Sequence, residues 1–92
     1  MFDYQVTYRM QMGAFFAEVS EFPDVSAYGP TLSDARSNLI ASLSYAANRK
    51  LRRGEPMPLP EPRPTADAYF VESVVLLPVG DDRVEVRVAP AG

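Results

Sequence analysis

Asp3, Glu18 and Glu72 are three acids in strand-like segments, and they are the first residues to weigh as chemistry. Carboxylates on neighbouring strands can hold two magnesium ions and promote phosphodiester cleavage. That use needs a cluster, and no run of acids here has ligand spacing. The expectation is that Asp3 occupies the polar face of its strand and that Glu18 sits opposite a neighbour of the other sign. The chain has no histidine and no cysteine. The commonest general base, the commonest metal ligand and the thiolate nucleophile are therefore missing. The serines lack a base to activate them, and the scattered glycines form no phosphate cradle. Asp81 and Asp82 follow Gly80, where turn chemistry alone favours them. The sequence thus predicts a non-enzyme with no catalytic residue, cofactor or metal.

The next candidates are cations and aromatics. Arg49, Lys50, Arg52 and Arg53 crowd one short stretch. They suit the negative end of a helix dipole better than a nucleic-acid surface, because the whole chain carries a net charge of −3 and a pI near 4.8. A mildly acidic protein fits a basic partner. Tyr4, Tyr8, Phe15, Phe16 and Phe70 could stack bases on an open sheet, but core packing is the simpler expectation.

The elements that would position these groups come from periodicity. At 92 residues the chain makes one domain. Phe2, Tyr4, Val6, Tyr8 and Met10 alternate with polar residues, which predicts a half-buried strand. The same alternation argues against a signal peptide, no apolar run is long enough for a membrane helix, and the expected location is the cytoplasm. Gln11-Met12-Gly13 predicts a turn, and Ala14 to Ser20 a second strand hairpinned to the first. Pro23 ends that strand, and Val25 to Tyr28 forms a short third one before Gly29-Pro30. Thr31-Leu32-Ser33-Asp34 reads as a capping box opening a helix over about 31–53, with Leu32, Ala35, Leu39, Leu43 and Ala46 as its apolar stripe. Gly54 stops it. Residues 55–66 form a proline-rich connector. Pro56, Pro58, Pro60, Pro62 and Pro64 are all an even number apart, so they lack the three-residue spacing of an SH3 ligand and predict a stiff spacer laid back along the domain. Tyr69 to Leu77 and Arg83 to Val88 then form a final hairpin, the second of them an edge strand. The predicted architecture is α+β: a mainly antiparallel sheet with one long helix on one face, in the order β-β-β-α-β-β. Phe16, Ala14, Phe70, Val74 and Leu76 are expected together on the face away from the helix, an apolar surface that predicts a homo-oligomer or another partner.

These residues resemble a known family. The strand YQVTYR, the strand AFFAEVSEFPDVSAYG, the helix start TLSDA and the exit GEPMPLP stand in the order of the HicB-like antitoxins. Pro23-Asp24, Gly29, Thr31, Ala35, Gly54, Pro58 and Pro60 occupy matching places over about residues 4–62. Pro30 and Asp34 depart from the Asp and Glu usual there. The resemblance implies a partial RNase H-like fold without catalysis, and neutralisation of a small basic HicA-type mRNA interferase. The family's DNA-binding members carry a further helix-turn-helix or ribbon-helix-helix segment. A valine-rich hairpin stands in its place here, so no direct DNA binding is expected. The expected toxin contact is the rim Phe22, Pro23, Asp24 and Tyr28, with Asp24 opposing a cation. The alternative is an orphan homo-oligomer without a toxin, pairing through the VEVRV strand or the apolar sheet face.

Overall fold

A computed structural model of the chain describes residues 2–61 and 67–89. Its elements are β1 (Phe2–Gln11), β2 (Ala14–Val19), β3 (Ser26–Gly29), α1 (Leu32–Arg52), β4 (Phe70–Val79) and β5 (Arg83–Val88). The strands form one antiparallel sheet in the order β3-β2-β1-β4-β5, with α1 packed on one face. This is the α+β arrangement that the periodicities predict.

Alternation decides what the helix covers. Tyr4, Val6 and Tyr8 of β1 turn toward α1, with Ala17 and Val19 of β2, Ala27 of β3, and Val74 and Leu76 of β4. Against them α1 sets Ala35, Leu39, Leu43 and Ala47, a row of four-residue steps that is completely buried. Val74 and Leu76 were expected on the opposite face, and the structure corrects this. The register Tyr4↔Val74 and Phe2↔Leu76 places them under the helix, and Tyr8↔Phe70 puts Phe70 on the same side. The outer face of β4 is Val71, Ser73, Val75 and Leu77. A strand apolar on both sides cannot reveal its own phase; the pairing with β1 sets it.

The hairpin between β1 and β2 turns at Met12 and Gly13, both with positive φ (52° and 81°). That geometry matches the right-handed twist of the flanking strands. β4 runs through Pro78 to Val79, two residues beyond the expected end. The proline is tolerated because its nitrogen faces β1, whose ladder with β4 has already ended at Phe2↔Leu76.

The helix ends as its sequence directs. Thr31 Oγ1 accepts from the Asp34 backbone N–H at 3.1 Å, and the Thr31 hydroxyl donates to Asp34 Oδ2 at 2.9 Å. The carboxylate therefore closes on the hydroxyl, a variant of the predicted box. At the other end Gly54 takes φ 69°, Gly54 N–H donates to Leu51 O, and Glu55 N–H donates to Lys50 O. These two bonds make a Schellman stop.

Two asparagines tie α1 to both sheet edges. Asn38 Nδ2 donates to the Tyr28 carbonyl of β3 at 2.8 Å. Asn48 takes both backbone groups of Val84 in β5: Nδ2 donates to Val84 O at 3.1 Å, and Oδ1 accepts from Val84 N–H at 2.8 Å. The connector does lie back on the domain over its described part. Met57 packs on the core, the Tyr4 hydroxyl donates to Pro58 O at 2.6 Å, and Glu61 N–H donates to Glu21 Oε2 at 2.8 Å. Connector residues 62–66 lie outside the described residues.

Candidate functional site

The loop between β2 and β3 and the C-terminal half of α1 enclose an open groove of about 760 Å³. Glu21, Pro23 and Asp24 line the loop side. Tyr45, Arg49 and Arg53 line the helix side. The loop is a tight turn, with Phe22 N–H donating to Val19 O and Val25 N–H to Phe22 O. It holds Pro23 and Asp24 out into solvent. Lys50 and Arg53 lie 3.6 and 3.9 Å from the Glu55 carboxylate, which partly neutralises the cationic wall. Among the described residues, Glu21 Oε1 is buried with no hydrogen-bond donor, while Oε2 accepts from Glu61 N–H.

The four residues expected on one rim do not share a surface. Pro23 and Asp24 stand on the groove. Phe22 is 3% exposed, a core residue whose ring meets Tyr4 edge-on at 5.2 Å. Tyr28 is 55% exposed, but on the outer face of the sheet; its ring lies 4.8 Å from Phe16 and its hydroxyl donates to Gln11 Oε1 at 3.2 Å. The physical reason is the turn itself. Phe22 is drawn inward to cover Tyr4, and this lifts the following Pro-Asp outward. Tyr28 then falls on the strand position that points away from the helix.

The strand acids are placed apart. Asp3 is exposed, and Glu18 pairs with Arg9, which stands diagonal to it on β1; the residue directly opposite Glu18 is Thr7. Glu72 is different: it lies under the first turns of α1 with its side chain 10% exposed. Arg36 of α1 grips it with two of its three guanidinium nitrogens, Nε to Oε2 at 2.8 Å and Nη2 to Oε1 at 3.0 Å, and the Tyr8 hydroxyl donates to Oε2. This carboxylate is committed to the fold. Among the described residues no three His, Cys, Asp or Glu come together as a metal site. Sequence reasoning noticed Glu72 but not its partners. Arg36, on the helix side that also carries Ala35 and Leu39, was the available signal.

Burial raises the Tyr8 hydroxyl well above its ordinary value, and its hydrogen bond to Glu72 adds to this. Tyr4 is pushed up to about 12, by burial first and by the charge of Glu21 second. The bond to Glu72 raises Arg36 further, so the guanidinium stays charged throughout. An unfolded tyrosine ionises at roughly pH 10. Above that the folded chain binds more protons than the unfolded one, so stability is full below about pH 10 and falls as the pH rises toward 12. Urea midpoints should be level from about pH 7 to 9 and drop beyond about pH 10, with a shallower drop in Tyr4→Phe. A midpoint unchanged at about pH 11 would remove this account.

No family model, curated protein or solved structure matches the chain. Among the described residues, no helix is long and apolar enough to cross a membrane.

Proposed function

We propose that this protein is a HicB-like antitoxin: a non-catalytic cytoplasmic binder that occludes a small basic HicA-type mRNA interferase. The observation that carries the reading is the acidic wall of the groove. There Glu21 and the exposed Asp24 carboxylate line the loop side, across from Tyr45 and Arg49 of the helix. A lysine or arginine of a basic partner would be steered and paired by the exposed Asp24 carboxylate. The β-β-β-α order, with Pro23-Asp24 before the helix and Gly54 after it, also supports the resemblance. Phe22 belongs to the support beneath this surface. Pro23 and Asp24 are its contact residues, and Tyr28 serves the opposite sheet face.

The test is capture of the tagged protein from its native cell, with light scattering for stoichiometry. A small basic protein in fixed ratio is expected, and Asp24→Lys should weaken its affinity about tenfold or more while leaving the melting curve unchanged. Capture that Asp24→Lys leaves undiminished would take the groove out of the interface. The second reading, an orphan homo-oligomer, is favoured by the outer face of the sheet, where the exposed Tyr28 ring lies against Phe16. A defined oligomer with no basic protein attached would support it.

A further inference from the structure

We infer that β5 is a self-pairing edge whose partner is a second copy of this chain, and that Asn48 holds that pairing shut. The inference does not rest on the toxin reading.

Backbone direction comes first. Ala89 N–H donates to Ser73 O at 2.9 Å, so Arg83, Glu85, Arg87 and Ala89 turn their backbone groups toward β4. Val84, Val86 and Val88 therefore turn theirs away from the sheet. An edge of this kind is a template for another strand.

Charge then selects the register. Residues 84–88 read Val-Glu-Val-Arg-Val, which is palindromic in character about Val86. A two-fold axis on Val86 sets Glu85 opposite Arg87 of the second copy, on both sides of the axis, and Val84 opposite Val88. An axis on Glu85 would oppose Glu85 to itself and Arg83 to Arg87. An axis on Arg87 would oppose Arg87 to itself. Like charges directly opposite are unfavourable and opposite charges favourable, so Val86 is the preferred centre. Within one copy Arg87 already bonds Glu85 at 2.8 and 3.0 Å. The pairing only exchanges this partner for its twin across the axis.

Asn48 stands in the way. Its amide already satisfies both outward groups of Val84, as a neighbouring strand residue would. In the favoured register Val84 meets Val88 at each end of the paired stretch, and both ends are therefore capped. Among the described residues only the central Val86 pair stays open, too little backbone bonding for a stable dimer. With the amide removed, hydrogen bonding would extend outward from Val86 through both Val84–Val88 pairs.

The test compares association constants by sedimentation equilibrium for the parent, Asn48→Ala and Asn48→Asp, each shown to be folded by circular dichroism. Asn48→Asp keeps an acceptor for Val84 N–H and frees only the carbonyl, so it guards against loss of fold in the alanine variant. Self-association should tighten at least about tenfold in Asn48→Ala and by less in Asn48→Asp. Adding Arg87→Glu to Asn48→Ala should abolish the gain, because Glu85 would then face a second carboxylate across the axis. Adding Glu85→Arg as well should restore it. Folded Asn48 variants with the parent's association constant would overturn the proposal, as would association indifferent to the Arg87 and Glu85 exchanges.

Discussion

Replacing Gly29 with alanine is expected to cost about 3 kcal/mol of stability, lowering the melting temperature by roughly 15 °C for a domain of this size. Gly29 closes β3 opposite Phe15 and is buried against the start of the helix. A Cβ there would lie 2.4 Å from the Ala35 nitrogen, 2.8 Å from the Asp34 carbonyl carbon and 2.8 Å from Asp34 Cβ. The first two are backbone atoms of the opening turn of α1, so no rotamer change relieves the overlap. The helix must lift, and Ala35 and Leu39 leave the sheet with it. Gly54→Ala is the control. Its Cβ meets nothing within 4 Å, but its φ of 69° is strained for alanine, which costs about 1 kcal/mol. Thermal melts of the two variants decide the matter: a Gly29→Ala loss no larger than that of Gly54→Ala would mean that the helix start is not seated as described.

Removing Arg36 is the second large effect. Arg36→Met leaves the Glu72 carboxylate, 10% exposed, with the Tyr8 hydroxyl and no cation. Breaking a pair of this kind from one side costs about 3 kcal/mol, because the remaining charge is uncompensated. The double variant Arg36→Met with Glu72→Met should recover most of the loss, since burying two apolar chains of similar volume there demands no ion pair. Tyr8 would still have an unpartnered hydroxyl, so recovery should be incomplete. Urea denaturation of both variants separates the terms. An Arg36→Met protein as stable as the parent would show that the guanidinium contributes nothing to holding the helix.

The strands and the helix were legible because each carries a clean period and clean stop signals. Alternation in Phe2 to Met10 fixed which face of β1 is buried, and Thr31 and Gly54 marked the helix ends within a residue or so. β4 was legible as a strand but not in phase, because Phe70 to Leu77 is apolar on both sides and only its pairing with β1 tells them apart. Pro78 hid the last two residues of β4 for a related reason. A proline is excluded only where its missing N–H would face a partner, and the sequence does not show which way it faces. The groove was half legible. Pro23-Asp24 announced an exposed turn, but Phe22 read as one more member of it, when its ring is the anchor that makes the turn possible. Arg36 with Glu72, and Asn48 with Val84, join residues 36 positions apart. No local pattern predicts contacts of that range.

The central place of β1 also shapes how the chain is assembled during synthesis. Residues 2–52 supply three strands and the helix, and with them one complete side of the molecule. Until β4 arrives, the other margin of β1 has nothing to bond to, and Tyr8 waits for Glu72. A ribosome adding about 5–20 residues per second leaves that margin open for seconds while the connector and the β4-β5 hairpin are made. The described part of the connector, seated on the domain by Met57 and by the Tyr4 bond to Pro58, narrows the search that follows. The β4-β5 hairpin is therefore the piece that closes the open margin of β1 in the nascent sheet.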